Sequence, residues 1–142
     1  MVGFLSSQGH ILNDVRLQCA NRFGAVYVTA ISGLSPIRSA RRLLVTAVGP
    51  ARSQGMEYEL TTQRGRLGPY WRLKSVGEGP AMLEAIVGDL RIRSSHAGKL
   101  KAWTLDVTGK RRAQVPLSVD GDSVVLKMQP EHRTVYYELA VE

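Results

Sequence analysis

The sequence predicts an all-β fold, an antiparallel β-sandwich of jelly-roll or immunoglobulin type with about eight to ten strands. Three observations predict it. Val15-Arg16-Leu17-Gln18-Cys19 and Asp89-Leu90-Arg91-Ile92-Arg93 alternate polar and apolar side chains with the period of two that a half-buried strand requires. Further β-branched and apolar runs recur between Gly, Pro, Asp and Asn residues. No amphipathic segment is long enough to stand as an obvious helix.

Taken in order, Val15, Leu17 and Cys19 share one face of the first clear strand, and residues 25–31 form the next. Residues 39–48 carry Ala40, Leu43, Leu44 and Ala47 at helical spacing, but the β-branched Val45, Thr46 and Val48 favour a strand over 42–48. Residues 52–80, rich in Gly, Arg, Gln and Tyr, hold the weakest pattern and read as long loops around one or two edge strands. Strands follow over 82–87, 89–93 and 99–105. The turn Asp106-Val107-Thr108-Gly109-Lys110 can close a hairpin, and Asp120-Gly121 sits between two more strand patterns. With strands over 123–128 and 134–141, the last third reads as a meander. Trp103 shares its strand phase with Leu105 and is assigned to the core.

A chain of 142 residues suffices for one domain with a core, whereas two independent halves would each be marginal, so residues 1–142 are read as a single domain. The 44% hydrophobic and 22% charged shares exclude a disordered tail, a collagen-like repeat and a coiled coil. A lone cysteine forbids an intramolecular disulfide, and Cys19, on the apolar phase of its strand, reads as a buried inert thiol. No apolar stretch approaches a membrane span, and MVGFLSSQGH lacks the charged start and apolar run of a signal peptide.

The formal charge of +7 favours an anionic partner. The cations are dispersed from Arg16 to Arg133, however, with only Arg41-Arg42 and Lys110-Arg111-Arg112 locally dense, which argues against nucleic acid as the partner. His10, His96 and His132 stand alone, so no transition-metal site is expected and no cofactor is assigned. Structural calcium is the one ion the turn residues Asp106, Asp120 and Asp122 could serve, though aspartates are ordinary turn formers. No Gly-x-Ser-x-Gly occurs. Carboxylate pairs leave no sequence motif, and Gly77-Glu78-Gly79-Pro80 lacks the lysine and following helix of a phosphate loop. An enzyme is not expected.

Aromatic side chains are the remaining chemistry. Tyr70-Trp71, flanked by Arg66 and Arg72, offers flat faces on which a pyranose ring or a base can stack, and Tyr58 and Trp103 are secondary choices. The alternative reading of each is packing onto the sandwich.

Several segments together resemble the non-catalytic β-sandwich domain at the C-terminal end of certain large bacterial glycoside hydrolases. The matching stretches are Arg41-Arg42-Leu43-Leu44-Val45-Thr46-Ala47-Val48-Gly49 with Gly55-Met56, then Gly77-x-Gly79-Pro80-x-x-Leu83-Glu84-x-x-Val87-Gly88, then Leu100-x-Ala102-Trp103-x-Leu105-Asp106-x-x-Gly109-Lys110-Arg111. The chain departs from that pattern at Ser32-Gly33-Leu34-Ser35-Pro36 and at Arg52-Ser53-Gln54. The resemblance implies an accessory module working outside the cell or at the cell envelope beside a catalytic glycoside hydrolase module. The expected partner is then a polysaccharide or oligosaccharide of the plant β-glycan type. The resemblance brings no site residues with it; from side-chain type alone, Trp71, Tyr70 and Tyr58 would stack, and Arg72, Arg66 and Glu57 would bind hydroxyls. Two other classes stay open: a structural domain that packs on a catalytic module or self-associates, and a nucleic-acid-binding β-domain.

Overall fold

The computed structural model describes residues 1–5, 9–61 and 68–142. These form two compact units: Met1–Gly49 together with Ala85–Glu142, and Pro50–Glu84.

The first unit is the antiparallel sandwich. Its strands are β1 (Val2–Phe4), β2 (His10–Ile11), β3 (Val15–Cys19), β4 (Phe23–Ala30), β5 (Arg42–Val48), β10 (Gly88–Arg93), β11 (Leu100–Leu105), β12 (Arg111–Val115), β13 (Leu117–Asp120), β14 (Ser123–Met128) and β15 (Tyr136–Val141). One sheet has the order β1-β4-β5-β15-β11-β12 and the other β13-β14-β10-β3-β2. The second unit holds β6 (Ala51–Ser53) paired with β9 (Ala81–Leu83), and β7 (Glu57–Leu60) paired with β8 (Trp71–Ser75). Fifteen strands among the described residues exceed the expected number because several, such as β1, β2, β6 and β9, span two or three residues, too few to show alternation in a sequence.

The period-two pattern becomes the core directly. In β3 the alternation buries Val15, Leu17 and Cys19 and leaves Arg16 and Gln18 exposed. Leu90 and Ile92 of β10 join Val124, Leu126 and Met128 of β14 on the inner face of the five-stranded sheet. Leu43, Val45 and Ala47 of β5, Ala102 of β11 and Leu139 of β15 belong to the same cluster from the six-stranded sheet. Each fully buried Leu or Ile there contributes about 1.5–3 kcal/mol over an exposed one, and together they hold the two sheets face to face. Cys19 is buried, as expected. Desolvation pushes its thiol pKa up, partly opposed by a hydrogen bond with Asn21, so it stays a neutral thiol at neutral pH.

Both expected hairpins form. Gly121, with φ of 59°, is the first loop residue between β13 and β14, the position at which a type II′ turn requires glycine. In the β11–β12 turn, Asp106 Oδ1 accepts hydrogen bonds from the Thr108 backbone N–H (2.9 Å), the Thr108 hydroxyl (2.7 Å) and the Lys110 N–H (3.0 Å). The Thr108 hydroxyl leads these bonds in holding the Asp106 pKa below the usual carboxylate value.

Two expectations are corrected. Residues 82–87 are not one strand. Extended pairing stops at Leu83, and beyond it the Asn21 side chain acts as the partner, donating from Nδ2 to the Ala85 carbonyl (2.8 Å) and accepting the Val87 N–H at Oδ1 (2.7 Å). Trp103 is not a core residue. β11 pairs with β15 without a shift, so Leu100, Ala102 and Thr104 keep the inward phase; the extra residue of the β11–β12 irregularity lies in β12, and Leu105 is buried at the end of the strand although it shares the phase of Trp103. Trp103 lies on the opposite, outer face, half-buried.

No helix among the described residues is long and apolar enough to cross a membrane.

Candidate functional site

The sequence-predicted site falls on the β7–β8 ribbon. Glu57-Tyr58-Glu59-Leu60 and Trp71-Arg72-Leu73-Lys74 each alternate polar and apolar residues, and the register sets Tyr58 opposite Leu73, Glu59 opposite Arg72 and Leu60 opposite Trp71. Side chains directly opposite each other share a face, so one face carries Tyr58, Leu60, Trp71 and Leu73 and the other Glu59, Arg72 and Lys74. All four apolar side chains are open to solvent, Trp71 at 67% and Tyr58 at 48%.

The charged face is paired within itself. Glu59 Oε1 accepts from Arg72 Nε at 2.9 Å and also from Arg72 Nη2, while Lys74 Nζ lies 2.9 Å from Glu57 Oε2. The hydrogen bond to Lys74 holds Glu57 below the usual carboxylate range, and the reciprocal bonds raise Lys74 and Arg72. Tyr70 precedes Trp71 and so turns away from it. Its backbone carbonyl accepts the Thr61 N–H at 2.9 Å, closing the ribbon, and its ring, 52% exposed, is close enough to Arg72 to be felt electrostatically.

The structure therefore brings Tyr58 and Trp71 together on one face and groups Glu57, Arg72 and Tyr70 away from them. Arg66 lies outside the described residues. A ring stacked on Trp71 and Tyr58 would meet Leu60 and Leu73 beside it, with Arg72 and Glu57 behind the ribbon and already engaged by Glu59 and Lys74. At Gly77, with φ of 73°, an added Cβ would run into the Gln54 carbonyl oxygen and the Met56 nitrogen, so only glycine lets the chain leaving β8 pass the turn before β7.

A second cluster, on the outer face of the six-stranded sheet, escaped the sequence reading. Glu138 of β15 stands between Leu44 of β5 and Trp103 of β11, and only 2% of it reaches solvent. Its two oxygens are divided between arginines: Arg42 Nε donates to Oε1, and Arg111 Nε donates to Oε2 at 2.5 Å. The Arg111 guanidinium also lies 3.7 Å from the centroid of the Trp103 ring and reaches Glu142, which Lys101 holds at 3.0 Å. Burial is the largest influence on Glu138 and alone would raise its pKa. The hydrogen bonds from Arg111 and Arg42 together outweigh it, and the net shift is downward. With both oxygens taken and one face of Trp103 covered, this cluster is a clamp joining β5, β15 and the β11–β12 hairpin. The one sequence sign was Glu138 itself, an acid inside an otherwise apolar strand, Tyr136–Val141.

Among the described residues no three His, Cys, Asp or Glu side chains converge as metal ligands. Of the aspartates weighed for calcium, Asp106 is occupied by its turn donors, Asp120 by Arg91 at 2.5 Å, and Asp122 by Arg93 at 3.1 Å with Arg38 farther off at 3.8 Å.

No protein-family model, no curated protein and no solved structure matches this chain.

Proposed function

We propose that the chain is a non-catalytic carbohydrate-binding module, an accessory to a polysaccharide-degrading glycoside hydrolase, that holds a β-glycan on the β7–β8 ribbon. The observation that supports this reading is the pair Trp71 and Tyr58. Two aromatic side chains share one face of a two-stranded ribbon, both about half exposed or more, and they are spaced by the strand register rather than gathered into a core. Flat, rigid aromatic faces stack on the apolar faces of pyranose rings at little entropic cost. The opposite face of the ribbon is neutralised by its own ion pairs, which suits a neutral ligand better than a phosphate backbone and weighs against the nucleic-acid alternative.

Affinity electrophoresis through gels containing cellulose derivatives, xylan, mannan or β-glucan tests it, with single-stranded DNA alongside at two salt concentrations. Salt-insensitive retardation by one neutral polysaccharide, lost in Trp71→Ala while the thermal midpoint stays unchanged, is the expected outcome. Retention by DNA alone, disappearing as salt rises, would sink the reading.

A second reading, docking of this face on another protein, is favoured by Leu60 and Leu73, which extend the aromatic row into an apolar stripe. It predicts a solution mass that rises with concentration or on adding the catalytic module, and that Leu73→Ser abolishes the rise.

A further inference from the structure

The outer face of the five-stranded sheet juxtaposes arginines that its own acids do not fully neutralise. Arg16 of β3 and Arg91 of β10 are direct cross-strand partners, and Arg93 follows Arg91 on the same face. Like charges set opposite each other destabilise a sheet, so an arrangement of this kind calls for a reason. Arg91 is held by Asp120 through Nη1, and Arg93 by Asp122 through Nε, from the β13–β14 hairpin. Each is thereby oriented through one edge of its guanidinium, which has further N–H groups to donate. Arg16 is exposed and has no ion-pair or hydrogen-bond partner among the described residues. Beside these residues runs an open groove whose lining includes Ile11, Asp14, Arg16, Arg91, Arg93 and Ser123. The charged residues lining it are Arg16, Arg91 and Arg93 against Asp14; counting the ion-pair partners Asp120 and Asp122, and Arg38 paired with Asp122, one positive charge is left in excess.

We infer that this groove binds the carboxylate of a uronic-acid saccharide, with Arg16 and the free edge of Arg91 as the paired donors. Guanidinium groups meet carboxylates in short, charge-assisted, frequently bidentate bonds, and an anion between Arg16 and Arg91 replaces their repulsion by attraction. The backbone about Asn13 supplies partners for sugar hydroxyls, and Ile11 supplies an apolar wall for the face of a sugar ring. The saccharide part of this inference rests on the carbohydrate-binding reading. The anion part rests on the arginines alone and uses residues distinct from Trp71 and Tyr58.

Titration of the full chain with trigalacturonate, its methyl ester and inorganic phosphate, followed by amide NMR, tests it. Trigalacturonate is expected to shift the β3 and β10 signals, Arg16→Gln and Arg91→Gln each to weaken it by about tenfold, and Asp14→Asn to tighten it. The methyl ester, which keeps the carbon skeleton and removes the charge, is expected not to bind. Equal binding of the ester, equal binding by Arg16→Gln, or phosphate bound at the same signals as tightly as trigalacturonate would each overturn the inference. Trp71→Ala leaves this titration unchanged, so loss of neutral-glycan binding in that variant and loss of uronate binding in Arg16→Gln report on the two sites separately.

Discussion

The β7–β8 ribbon and the β5–β15–β11 face of the sandwich are made of the same residue types and behave as opposites. Each sets acids against arginine or lysine across neighbouring strands beside a tryptophan. In the ribbon both faces are wet: Glu57 and Lys74 are equally open to solvent, and Trp71 is largely exposed. On the sandwich Glu138 lies beneath its two arginines and Trp103 beneath one of them. An exposed pair is screened by water and gains little, whereas a buried carboxylate depends on its partners to offset the cost of leaving water. The comparison teaches that an ion pair and an aromatic ring are structural where a sheet buries them. Where a two-stranded ribbon leaves them open, the ion pairs are screened by water and the aromatic rings stay exposed.

The sharpest way to break this comparison is to strand Glu138. Replacing Arg42 and Arg111 by Met leaves a buried, unpartnered carboxylate, and urea denaturation is expected to show a loss of about 3–5 kcal/mol, largely recovered when Glu138→Gln is added. The matching change in the ribbon, Arg72→Met with Lys74→Met, is expected to leave the midpoint of the sandwich where it was. An equal loss in both would erase the distinction.

Alkali probes the buried side next. Desolvation raises the Tyr137 pKa from 10.0 to about 12, opposed only by a hydrogen bond to Gln129. A folded pKa above the unfolded one stabilises fully below pH 10, and that contribution disappears as pH rises from 10 toward 12, a total of about 2–3 kcal/mol. Tyr137→Phe should flatten this slope and lose the 3.1 Å contact with His132 Nδ1. A slope unchanged by the substitution would assign it elsewhere.

Acid gives a smaller effect of opposite sign. Because the Glu138 pKa is lowered on folding, its contribution is present above the unfolded value of 4.5 and is lost as pH falls through the folded one. Glu138→Gln should remove that part of the acid limb. Smallest of all is the response to salt: raising NaCl to 0.5 M, where screening extends only about 4 Å, should loosen the Glu57–Lys74 and Glu59–Arg72 pairs and leave the Glu138 clamp in place. Exchange of the guanidinium Nε protons, fast at Arg72 and slow at Arg111, measures it.

Much of this was legible in the residues. Alternation in Val15–Cys19 and Gly88–Arg93 gave the inner faces of β3 and β10, and the Asp-Gly and Thr-Gly turns gave both hairpins, because these are local properties of the chain. The ribbon was not legible, although Glu57–Leu60 and Trp71–Ser75 do alternate. It was hidden because no buried face made the pattern apolar enough to stand out from the loops around it. Trp103 was misplaced because Leu105, the residue that marked its phase, is buried at the end of β11 while Leu100, Ala102 and Thr104 hold the inward phase of the strand.

The sequence by itself determined the fold class, the strands with a buried face and the fate of Cys19, since hydrophobic period and turn chemistry act over a few residues. Only the tertiary structure decided that Glu138 is held by residues 96 and 27 positions away. It also decided that Arg16 stands opposite Arg91, and that Tyr58 and Trp71 share a face while Glu57 and Arg72 do not. These depend on strand register, which is fixed by packing and pairing across the whole chain and is recorded in no single segment of it.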